Sequence, residues 1–450
     1  MNEGYIESIV DAFYSLKMED IPADAIHQVQ RCLLDYLGCT SYTVSHRLCQ
    51  PLIGMVESIS ASGDSRIWGE PEGFSAEGAA FANAARTSNI ELDDVSGMGA
   101  SVHPGVYVWS AAFAVYELYK PSTETVIKAV LFGYELCLRM GLKSTEKVRM
   151  LGLHGPGLNG AFASLATAGM MAGLTRDEML NAIGIAGSLL PVCPFISFLS
   201  GTDSKDFYGG WPCYLGLIAV NAAKRGMTGP EAILDGRKSL ASIYSGKESD
   251  SELGKDFLIM RIVFKEFSAC ASVHPAMSAL KAIMKECRFS LDDVDDILVR
   301  TYPYSYQLNS GVSLPLNASS ARLSLPYTVS VCLRTGNLLP DAFSAGALSD
   351  AASYLPIMDK VRVENNEAYG DSAFSVRGSI VRIKLKDGTV LEKEAIGSEW
   401  SRGVTDNMLK GKFEVLSQDS FSRDKQAEIE RKAMSFDGNL SYFADALSSL

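Results

Sequence analysis

The chain is short of basic residues: 41 Lys and Arg stand against 53 Asp and Glu, a formal net charge of −12. Nucleic-acid binding needs a basic face to meet phosphates, so the balance argues against that class. An acidic enzyme can still take an anionic substrate if a few Lys, Arg or His gather in one cleft. Several chemical signatures are missing as well. No G-x-S-x-G, Walker A, H-E-x-x-H or strand-glycine-helix fingerprint occurs, which argues against a serine hydrolase, a nucleotide enzyme and a zinc protease. The nine cysteines form no C-x-x-C pair. Scattered and odd in number, they read as buried thiols in a reducing compartment. The most apolar stretch, residues 160–174, is broken by Ser, Thr and glycine, and at about 15 residues it is too short to span a bilayer. The opening residues, MNEGYIESIVDAF, carry acids where a secretory signal carries bases. Together these absences predict a cytoplasmic protein with neither a membrane nor a nucleic-acid partner.

What is present is ordinary globular material: 47% hydrophobic and 21% charged over 450 residues. That length suits two domains, one inserted in the other. Apolar residues recur at helical spacing over 22–38, 122–142, 158–173 and 176–188. Thr175 and Glu178 form a capping box ahead of the last of these. Alanine and glycine crowd 76–86 and 155–187, which lets helices approach closely and predicts central helices of a bundle. After about residue 265 the pattern changes. Residues 294–302 alternate like a strand, and the alternating runs around Asp387-Gly388 predict a hairpin. Helices are expected at 274–287 and 321–334, and again from about 404. The predicted fold is mainly α: a large helical domain (1–265 plus 398–450) with a smaller α+β domain (266–397) inserted.

Three of the five histidines precede Pro or Gly at the start of a helix: His103-Pro104, His154-Gly155 and His274-Pro275. A helix start offers free N–H groups and a positive dipole end, which suits a substrate carboxylate. A single loop histidine is most simply structural; three in one setting argue for a site. His27 and His46 are expected to be structural or exposed. Glu91, Asp93 and Asp94 could ligate a metal or form a solvated acidic loop. No His or Cys spacing accompanies them, so no metal is expected, and a carboxylate there can orient His103 or act as acid/base itself. Lys205 precedes a helix running through 214–225, where its charge opposes the dipole unless an anion is bound. Lys265 is a further candidate cation. For Tyr327, at the start of an apolar helix, plain packing is the ordinary explanation.

Taken together and in order, LDD, HPG, GYELCLRM, LHGPG, GTDSK, GMTGPEAILDG, KEF-x-x-C-x-x-x-H, ARLSLPY and KDG resemble the MmgE/PrpD family over nearly the whole chain. That family includes 2-methylcitrate dehydratase, cis-aconitate decarboxylase and iminodisuccinate epimerase. The resemblance implies a homodimer whose α+β domain acts as a lid, an active site between the domains, and catalysis without a cofactor. By matching position it implies a catalytic set of His103, His154, Lys205, His274 and Tyr327; Glu91, Asp93, Lys265 and Tyr208 are expected to contact substrate. The expected reaction moves a proton or makes a double bond beside a carboxylate of a small di- or tricarboxylic acid. Dehydration ranks first, with decarboxylation or epimerisation as alternatives and a non-catalytic acid-binding protein as the rival. The chain departs from the family pattern where an Asp-x-Asp-Asp-Thr run is replaced by Glu91 to Val95. It departs again at Ser88, at Tyr208 (each in place of a His) and at Ser268 (in place of a Pro), and the loop into His103 is about two residues longer.

Overall fold

The computed structural model describes residues 4–97, 99–235, 237–244, 257–311, 314–370, 376–397 and 404–450. The fold is mainly α, as expected, with only small sheets. The predicted helices appear as Ala23–Ser45, Thr123–Met150, Gly155–Met171 and Arg176–Ser188. The Thr175/Glu178 capping box forms, with both reciprocal hydrogen bonds present.

Helix Gly155–Met171 is central. All but one of its residues are buried, and it packs against Pro104–Tyr119, Thr123–Met150 and Asp206–Lys224. Its small residues make that possible: a Cβ on Gly160 would stand 2.6 Å from the ring of Tyr107, closer than packing tolerates. One hydrophobic core draws on residues from Ile6 to Phe264 and again from Leu409 to Leu447; a second draws on Phe267 to Ala395 alone. The expected boundary at 398 falls on 398–403, outside the described residues.

The second core lies under a four-stranded sheet in the order Val361–Asn365, Val294–Thr301, Gly378–Leu385, Val390–Ile396. The first pair is parallel and the others antiparallel. The hairpin turns at Asp387-Gly388, where Gly388 takes φ 91°, a conformation that favours glycine. Helices His274–Glu286 and Leu325–Thr335 pack with this sheet and with each other. All nine cysteines are free, six of them buried. Among the described residues no helix is long and apolar enough to cross a membrane.

Candidate active site

Just past helix Ala76–Ser88 the backbone runs through Asn89 to Leu92 with four consecutive carbonyls pointing at side chains from distant parts of the chain. Arg322 donates to the Asn89 carbonyl (2.6 Å), Ser268 to Ile90 (2.5 Å), Lys265 to Glu91 (3.1 Å) and Lys412 to Leu92 (2.5 Å). Orphan carbonyls after a helix end favour such donors, cationic ones above all. Glu91 itself sits at φ 53°, a left-handed conformation uncommon outside glycine, so the surrounding bonds fix an otherwise costly backbone.

The Glu91 carboxylate bridges two lysines, with Lys205 Nζ at 3.0 Å from Oε1 and Lys265 Nζ at 3.2 Å from Oε2. Burial alone would raise its pKa, but Lys205, Lys265 and His103 together hold it well below the usual carboxylate range. The anion that Lys205 requires at a helix start is thus supplied within the chain.

His103 caps helix Pro104–Tyr119, and its Nδ1 lies 3.0 Å from Asp93 Oδ2. With Nδ1 donating to that carboxylate, Nε2 is the nitrogen left to exchange a proton in the cavity. His154 caps Gly155–Met171 differently. Its Nδ1 accepts from the Gly157 N–H at 3.2 Å, which leaves Nε2 as an N–H donor. The ring stacks on Tyr208 and Phe198, centroids 5.0 and 5.5 Å away, and desolvation pushes its pKa down to about 3. At neutral pH His154 is therefore a fixed, uncharged hydrogen-bond donor. The Tyr208 hydroxyl is tied to the Pro194 carbonyl at 2.9 Å, so its ring, not its oxygen, serves the site.

Asp94 anchors this arrangement from behind. It accepts from the Tyr134 hydroxyl (2.6 Å) and from Gly105 N–H in the first turn after His103 (2.9 Å). A Cβ on Gly105 would meet the carboxylate at 2.5 Å, so only glycine admits the contact. Burial, with Asp35 adding to it, pushes the Asp94 pKa up to about 7. A carboxyl raised above its unfolded value near 3.9 contributes stability that is fully present below about pH 4 and lost as pH rises to about 7. Asp94→Asn, which mimics the protonated form, should therefore remove a wild-type loss of order 4 kcal/mol across that range. Parallel pH profiles of denaturant unfolding for the two proteins would contradict this.

These groups meet in a cavity of about 120 Å³ lined by Glu91, Asp93, His103, His154, Lys205 and Tyr208. Ser88 and Val95, two of the departures from the family pattern, line it as well. Lys265, His274 and Tyr327 do not line it. Lys265 lies behind Glu91. His274 is fully buried, 3.4 Å from the Ala269 carbonyl and edge-on to Phe267, and desolvation pushes it down to about 3. Tyr327 packs among Phe343 and Tyr354 within the second core. Another departure, Ser268, carries the hydroxyl that holds Ile90.

The cavity also holds residues that the sequence reading passed over: Arg149, Cys270, Ser272, Tyr302, Tyr304 and Arg377. Arg149, in a helix's last turn, resembles routine compensation of the dipole, and Arg377 carries no local signal. An apolar wall of Val106, Val148, Leu153, Phe195 and Phe198 completes the lining. Among the described residues no group of three or more His, Cys, Asp or Glu could hold a metal ion.

The chain matches the MmgE/PrpD N-terminal domain over residues 7–252 and the MmgE/PrpD C-terminal domain over residues 267–437. It is 22% identical to a cis-aconitate decarboxylase-like protein, oryM, of Aspergillus oryzae, covering 94% of this chain and 92% of that protein. It is 23% identical to a cis-aconitate decarboxylase of Aspergillus terreus, covering 94% and 91% respectively.

Proposed function

Because the chain belongs to the MmgE/PrpD family, we propose that it is a lyase for a small di- or tricarboxylic acid, with decarboxylation of a cis-aconitate-like substrate as its reaction. The observation that carries this reading is the division of labour between the two cavity histidines. His103, polarised by Asp93, can carry and release a proton; His154, held neutral, can only donate a hydrogen bond. Decarboxylation needs one proton delivered to carbon. The C–CO₂⁻ bond breaks, its electron pair spreads into the neighbouring unsaturated carboxylate, and CO₂ leaves. Protonated His103 then delivers a proton to the carbanionic carbon and recovers one from solvent. The His154 N–H and the cavity cations stabilise the charge as it develops.

Dehydration is the second reading, supported by the presence of Lys205 in the lining. It needs a further acid for the departing hydroxyl, and Lys205 could supply that proton only by loosening its pair with Glu91. Epimerisation needs proton-transfer groups on two faces of one carbon, for which the neutral His154 is poorly suited.

The test is proton NMR in D₂O with cis-aconitate, citrate, 2-methylcitrate and iminodisuccinate. Decarboxylation yields a product one carboxylate short, with one deuterium on carbon. Loss of a proton signal beside the hydroxyl-bearing carbon of citrate or methylcitrate, with an alkene formed and all carboxylates kept, would point to dehydration. Spectra unchanged throughout, with the acids still bound, would mark a small-acid-binding protein and end the lyase reading.

A further inference from the structure

Arg149 lies in the last turn of helix Thr123–Met150, and Arg377 directly precedes strand Gly378–Leu385. One ends a helix of the first core and the other leads into the sheet of the second, yet both line the same cavity. Among the described residues neither guanidinium has a carboxylate at ion-pair distance. Elsewhere in the cavity Lys205 pairs with Glu91 and His103 hydrogen-bonds Asp93.

Arg149 stands 3.7 Å over the ring of Tyr304. Burial raises the pKa of both Tyr302 and Tyr304, and both arginines oppose that rise on both phenols. The two charges and the two phenols therefore share one corner. Like charges without a counter-ion repel across such a corner, and one anion between them reverses the sign of the interaction. The guanidinium fork matches a carboxylate bidentately, and stacking on an aromatic ring leaves its N–H edge free to do so.

We propose that Arg149 and Arg377 together bind the substrate carboxylate remote from the carbon that His103 serves. The inference rests on the lyase reading and narrows it: the substrate carries at least two carboxylates, one of them at this corner. Because the two arginines come from different cores, the bound acid bridges them.

Tricarballylate, a saturated tricarboxylate with neither a double bond nor a hydroxyl to react, separates binding from turnover. Calorimetric titration should show wild type binding it, Arg149→Gln and Arg377→Gln each weaker by roughly 10–100-fold, and Arg149→Lys in between. Thermal unfolding confirms that the variants remain folded. In turnover, the same substitutions should raise KM for cis-aconitate with kcat held. Equal tricarballylate affinities across the variants, or a wild type that does not bind it, would overturn the assignment. A wild type that binds through these arginines but turns over no acid would sink the lyase reading alone. Normal KM values in the variants of an active enzyme would sink only the arginine pair.

Discussion

Replacing His103 by alanine is expected to cost turnover about 10²–10⁴-fold, the range a positioned proton-transfer group typically supplies, while leaving the chain folded. The side chain is 20% exposed and hydrogen-bonds Asp93, so its removal empties part of an existing cavity and opens no hole in the core. Asp93→Asn tests the same idea by another route. An amide can offer N–H to Nδ1, which places hydrogen on Nε2 and spoils the imidazole as a proton carrier without removing it. Both variants should bind tricarballylate nearly as well as wild type. Near-normal turnover in His103→Ala would end its assignment as the acid/base.

The largest loss of stability should come from Glu91→Gln. The carboxylate offsets two ammonium groups, and the Lys205 and Lys265 side chains are 7% and 0% exposed. Removing one partner of a buried pair costs about 3–5 kcal/mol, because the remaining charge is left without compensation. For a chain of this size that corresponds to a fall in Tm of about 3–5 °C. Adding Lys265→Met should recover part of the loss by removing one stranded charge. The wild-type contribution of Glu91 is present above the unfolded carboxyl value near 4.3 and disappears as pH falls through the depressed folded value, so the gap between the proteins narrows in acid. A Tm within about 2 °C of wild type at neutral pH would show that the lysines find other partners.

Much of the fold could be read from local pattern. The Asp387-Gly388 hairpin, the Thr175 capping box and the helices at 274–286 and 325–335 each rest on signals within a few residues of one another. At the site, His-Pro and His-Gly pairs marked helix starts, and His103 and His154 do cap helices whose ends face one cavity. The same signal at His274 marks a helix start whose ring points into packing. Adjacency to a helix start says where a residue sits along the chain and not which way the start faces. Arg149 and Arg377 carry no such signal for the complementary reason: their significance lies in lacking, among the described residues, a carboxylate partner, and only three dimensions reveal that. Tyr208 shows a third case, a side chain in the cavity whose polar atom is spent on Pro194 and whose ring does the work.

The four gripped carbonyls at 89–92 also bear on how the protein comes off the ribosome. Their partners are Lys265, Ser268, Arg322 and Lys412, so the segment is emitted long before any residue that secures it. Vectorial synthesis lets the early helices collapse first, with Glu91 still lacking Lys205 and Lys265 and its left-handed backbone unsupported. The pocket floor is thus completed only when nearly the whole polypeptide has emerged, and fragments ending before the last of these residues would carry the early helices without a finished floor.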